Sequence, residues 1–224
     1  MSRAAVVCLL SGVLVVWACG SPATVQERMF DHYARAGQVQ SALIMGDLEG
    51  ARRPARWLGE HEALSEVAPE AEAWTAALRI AATEVAGARS LAEAAEATGR
   101  MAASCAGCHQ EVGDGPRFRS MSEVPPEGAT TGTHMVRHLW AMDRMWEGLI
   151  GGGDGPWQDG ADALARQSPE DEFPGGSTTA ALARTLHDQA AQARDVPEWA
   201  RPRAYAAMIE ACAACHSLSG FGGD

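Results

Sequence analysis

The chain has 224 residues, 18 basic against 29 acidic side chains and six cysteines, and 46% of it is hydrophobic. That is enough apolar material for one or two packed domains and excludes a disordered chain, while a formal charge of −11 argues against binding nucleic acid through its phosphates. Every basic residue is arginine, alanine is abundant and only 6% of residues are aromatic, so helix formers dominate and the expected class is all-α.

The N-terminus reads as an export signal over residues 1–18: Arg3, an apolar run over 4–16, then Trp17-Ala18-Cys19-Gly20 as a small-residue cleavage region. The apolar run is about 13 residues, short of the roughly 20 needed to cross a bilayer. Val16-Trp17-Ala18-Cys19 is also similar to a bacterial lipobox, in which the cysteine becomes the lipidated first residue of the mature chain. Cleavage by ordinary signal peptidase would instead leave Cys19 unmodified. Either way the expected location is the periplasm or cell envelope, with membrane attachment through a lipidated Cys19 in the first case.

Four helical segments follow. Thr24-x-x-Glu27 is a capping box that opens a helix running to about residue 45. A second spans about 48–63 with Pro54 in its early turns, a third about 70–86, and Ser90-x-x-Glu93 caps a fourth that ends at Gly113. Residues 113–130 are rich in glycine and proline and read as a linker. Beyond it the segments are expected at about 131–150, 160–167, 178–194 and 198–217. The expected domains are therefore 24–112 and 131–224, each a four-helix bundle.

The two halves share their chemistry. Cys105-Ala-Gly-Cys108-His109 and Cys212-Ala-Ala-Cys215-His216 are both C-x-x-C-H, offset by 212 − 105 = 107 residues. This is the sequence of c-type haem attachment: two thiols on one helical turn form thioethers with the two vinyl groups of a porphyrin, and the adjacent histidine reaches the iron. Residue frequencies give roughly 0.005 accidental matches for a chain of this composition. A paired zinc knuckle wants its C-x-x-C pairs about 15–20 residues apart, and a dithiol oxidoreductase wants βαβ patterning. The expected cofactors are two covalently bound haems c.

A second pairing lies upstream: Met29-Phe-Asp-His32 matches Met135-Val-Arg-His138, and Leu43-Ile44 matches Leu149-Ile150, both at an offset of 106. The core stripe of the opening helix reads Val25, Met29, His32, Ala36, Val39, Leu43 in one copy and Thr131, Met135, His138, Met142, Met145, Leu149 in the other. A seam histidine needs a hydrogen-bond acceptor or a metal, so His32 and His138 are the expected second axial ligands beside His109 and His216. The rivals are Met29 and Met135, one turn earlier, or an open sixth position. His134 has no counterpart in the first copy, and His61 and His187, also without counterparts, read as surface histidines.

With these residues in place the chain resembles the cytochrome c-prime type (class II cytochromes c), duplicated into a dihaem protein. The resemblance implies haem lying among four helices with the sixth-position group on helix one; the seam histidine departs from that family's apolar or methionine distal side. The expectation is an exported electron carrier, not an enzyme, whose two six-coordinate haems exchange electrons with redox partner proteins. The alternative is a peroxidase-like enzyme, a small-oxyanion reductase or a gas-binding protein with one open iron. Arg52, Arg53 and Arg56 are candidate partners for haem propionates. The small side chains leave a core to be filled, and two porphyrins are the expected filler.

Overall fold

A computed structural model of the chain describes residues 24–61, 68–118, 123–126, 130–166 and 176–220. The segment expected to be an export signal, with Cys8 and Cys19, lies outside the described residues. Eight α-helices and two 3₁₀ turns make up the ordered elements, and there is no strand among the described residues, so the protein is all-α. The helices are α1 (Val25–Ile44), α2 (Leu48–Glu60), α3 (Glu72–Gly87), α4 (Leu91–Val112), α5 (Thr131–Gly151), α6 (Asp154–Ala165), α7 (Gly176–Ala193) and α8 (Arg201–Leu218).

Local chemistry accounts for the boundaries. Thr24 Oγ1 accepts from Glu27 N at 3.2 Å while the Glu27 carboxylate accepts from Thr24 N at 2.7 Å, closing the capping box of α1. Ser90 caps α4 in the same sense, accepting from Glu93 N at 3.1 Å. Helix α4 stops where Gly113 turns left-handed at φ 71°, and α5 where Gly152 does so at φ 66°. One boundary differs from expectation: α6 begins at Asp154, several residues before 160, because Gly153 breaks the chain and Asp154 then supplies an acidic first turn.

Each helix packs on the next in sequence within each half, and the halves also lock together through α4 on α8, α1 on α8 and α4 on α5. Backbones approach through the smallest residues. A Cβ on Gly99 would stand 2.3 Å from Pro202 O, which puts the α4 backbone directly on α8; Ala94, Ala95 and Ala102 of α4 and Ala206 of α8 are buried beside it. Gly148 and Gly160 play the same part between α5 and α6, where a Cβ would meet Trp157 N at 2.5 Å or Ala141 O at 2.4 Å. The alanine-rich composition therefore serves close helix approach. The centre is filled by protein side chains, led by Trp146, Trp157, Tyr205, Met101, Met142, Met145 and Met208. Tyr205 ties three helices: its hydroxyl donates to Met142 O of α5 at 3.0 Å and accepts from Gln40 Nε2 of α1 at 2.8 Å.

The contacts Gly99–Pro202 and Gln110–Glu198 run in opposite chain directions, so α4 and α8 cross antiparallel. Their C-x-x-C-H motifs, each in the last turns of its helix, then sit on opposite sides of the crossing.

Candidate functional site

Cys105, Cys108 and His109 occupy the last turns of α4, and Cys212, Cys215 and His216 the last turns of α8. All four cysteines are free thiols. Burial holds Cys105 and Cys212 up at about 12, with the second cysteine of each motif adding to the shift, so both are protonated thiols at neutral pH. In the first motif Trp74 of α3 lies on Gly107: a Cβ there would fall 2.4 Å from the indole ring, so the small central residue of this motif is what admits the tryptophan. Gly115 of the following segment folds against the His109 side chain.

The two motif histidines share one arrangement. His109 Nδ1 lies 3.2 Å from Ile150 O, and His216 Nδ1 lies 2.7 Å from Ile44 O. A carbonyl can only accept, so each Nδ1 carries the proton and donates it. In a neutral imidazole that bond fixes the tautomer, with Nε2 as the lone-pair nitrogen, the one that can bind a metal. The acceptors are orphans of helix ends, since the last four carbonyls of a helix have no intrahelical donor.

The seam histidines are buried, whereas the methionines one turn earlier are only half-buried. His32 packs edge-on against Trp57 at 5.1 Å and His61 at 5.7 Å between ring centroids, and Trp57 stacks on His61 at 4.0 Å. Neither ring nitrogen of His32 has a hydrogen-bond partner among the described residues. Burial first, and His61 second, lower its pKa to about 4, so it is a neutral imidazole at pH 7. No hydrogen bond or ring contact joins His32 to His109 among the described residues. His138 instead reaches α7, with its Nε2 3.2 Å from His187 Nε2.

Two expectations are corrected. His187 is a buried residue, not a surface one, because α7 lays it against α5; burial and then His134 lower its pKa to about 4. His61 is half-buried in its stack on Trp57. Each seam histidine thus has a second histidine beside it, supplied by the end of α2 in one half and by α7 in the other. Sequence comparison missed this because the two come from non-equivalent helices. Arg52 is also committed elsewhere: it pairs with Glu49 and donates to Ala88 O at 2.8 Å, while Arg53 and Arg56 are exposed. The sequence did carry one unused signal, the pair Met101 and Met208 at the same 107-residue offset as the cysteines; both are fully buried, one turn before Cys105 and Cys212.

Among the described residues no three His, Cys, Asp or Glu side chains converge as a site for a bare metal ion. No described helix is long and apolar enough to cross a membrane. Set against known protein families, curated proteins and solved structures, the chain matches none.

Proposed function

We propose that the protein is an exported dihaem c-type cytochrome that carries electrons, built as two four-helix repeats of the cytochrome c-prime type. The single observation that carries the reading is the repeated donor set: two free thiols on one helical turn followed by a histidine whose Nδ1 is committed to a carbonyl. This set fits a covalently held haem on the chemistry of its donors. Cys105 and Cys108 with His109, and Cys212 and Cys215 with His216, would hold it, the cysteines as thioethers to the porphyrin vinyl carbons and each histidine through its Nε2. When bound, haem supplies a one-electron couple between ferric and ferrous iron.

The chain's own residues would then do the following. Cys105, Cys108, Cys212 and Cys215 anchor the porphyrins. His109 and His216 would bind the iron through Nε2, and His32 and His138 are the candidate second ligands. The orphaned nitrogens of His32 support that assignment, since a buried imidazole without a partner costs about 1–3 kcal/mol unless something binds it. Two histidine ligands would close the iron to substrates and leave electron transfer as its chemistry; redox proteins in the periplasm or cell envelope are the proposed partners, with Cys19 as a lipid anchor.

A second reading rests on the unequal surroundings of the seam histidines. His138 and His187 approach each other through the very nitrogens that could ligate iron, while His32 keeps both nitrogens clear. An iron left open in the second repeat would make the protein a peroxidase-like or gas-binding one. Electron paramagnetic resonance of the purified ferric protein, followed by carbon monoxide on the reduced form, separates the two. Two low-spin haems that ignore carbon monoxide support the carrier; one high-spin haem that binds it moves that site to the enzyme reading.

A further inference from the structure

Ile44 and Ile150 occupy matching positions, 150 − 44 = 106 residues apart, at the ends of α1 and α5. Their carbonyls do not serve the histidines of their own repeats. Ile150 O, in the second repeat, takes the Nδ1 proton of His109 in the first; Ile44 O, in the first, takes that of His216 in the second. The exchange is reciprocal, so it is a property of the duplicated architecture and not of one chance contact.

Building on the two-haem reading, we infer that each haem site is completed by the opposite repeat: Ile150 O positions and tunes His109, and Ile44 O positions and tunes His216. The physical reasons are three. A donor–acceptor bond at Nδ1 fixes the tautomer and the ring plane of a ligating imidazole and raises its basicity, which stabilises the oxidised metal. Carbonyls at a helix C-terminus carry the negative end of the helix dipole, so they are stronger acceptors than carbonyls in mid-helix. Finally, both bonds run between the repeats, so each motif histidine is held by a helix end of the opposite half. The interlocking bonds, carried on the α4–α8 crossing, are then the route by which one repeat acts on the haem of the other.

A glycine with left-handed backbone follows each acceptor: Gly46 at φ 78° after Ile44, and Gly152 at φ 66° after Ile150. A β-branched residue is strained in that conformation, and at Gly152 its Cβ would also stand 2.7 Å from Gln110 Nε2. Either substitution re-forms the helix end and displaces the carbonyl it presents.

The test begins with haem content of the matured full-length protein, read by mass and absorption. A chain that carries no haem overturns both this inference and the two-haem reading. With two haems present, nuclear Overhauser effects in the reduced, diamagnetic protein should connect the His109 Nδ1 proton to Ile150 and Gly151, and the His216 Nδ1 proton to Ile44 and Met45. Nδ1 protons that exchange freely with water, or that contact only their own repeat, overturn this inference alone. Gly152→Val should raise the midpoint potential of the haem on His109 and leave the other unchanged, and Gly46→Val should do the converse. If each variant shifts the haem of its own repeat, or both haems equally, the cross-repeat assignment is wrong. The wild-type resonance measurement decides the question even where a variant fails to fold.

Discussion

Replacing His32 by leucine should have opposite effects on the haem-free and the haem-loaded protein. In the polypeptide alone His32 is 7% exposed and neither nitrogen has a hydrogen-bond partner among the described residues. Leucine removes a desolvation cost of about 1–3 kcal/mol without opening a large cavity, so the haem-free variant should be as stable as the parent or more so, by up to about 2 kcal/mol. Acid widens the gap. The folded pKa of His32, about 4, lies below the unfolded value of 6.5, so the unfolded chain takes up the proton first. The corresponding stability is held above pH 6.5 and lost as the pH falls towards 4, an upper figure of about 3 kcal/mol for a gap of about 2.5 units. The leucine variant lacks that loss. On the proposed ligation the sign should reverse in haem-loaded protein, because the variant would remove a ligand and turn one low-spin haem high-spin. The assay is urea unfolding at pH 7 and pH 5 of chain lacking residues 1–18 and produced in a reducing cytosol, beside ferric resonance spectra of haem-loaded protein. A haem-free variant weaker than the parent by more than about 1 kcal/mol, or a matured variant that keeps two low-spin haems, would refute the reasoning.

Further outcomes follow from the same contacts. His138→Ala leaves His187 Nε2 within reach of the same space, so the second haem should become fully high-spin only in the His138→Ala/His187→Ala double variant; resonance spectra of single and double variants check this. Tyr205→Phe removes the hydroxyl that joins α1, α5 and α8 and should cost about 1–2 kcal/mol in urea unfolding, with the slope unchanged. Gly99→Val forces a side chain into the 2.3 Å gap against Pro202 O and should cost at least about 2 kcal/mol, whereas Gly37→Ala, with open space around it, should be within about 1 kcal/mol of the parent. Thermal or urea unfolding of the two glycine variants side by side tests whether the α4–α8 crossing is as tight as the backbone contact requires.

Much of this protein is written locally. The capping boxes and left-handed glycines that bound α1, α4 and α5 are short patterns, because a helix end is satisfied by residues three or four positions away. The C-x-x-C-H motifs are equally local, with two thiols and an imidazole within the last turns of one helix. The burial of His32 and His138 was legible too, from spacing alone. The surroundings of those histidines were not: His61 and His187 come from different helices of the two repeats, and no sequence offset relates them. Nor did alanine content disclose its use, which is to let α4 lie directly on α8 at Gly99.

Sequence by itself determined the helical class and the spacing of the two C-x-x-C-H motifs. Only the tertiary structure decided what holds the motif histidines. The Leu-Ile pairs that recur at the ends of α1 and α5 stood out in the sequence as repeated apolar residues, yet their part is played by main-chain carbonyls. Every residue has a carbonyl, so nothing in residue identity marks the one that will accept a bond; that is set by where a helix ends and what the rest of the fold brings against it.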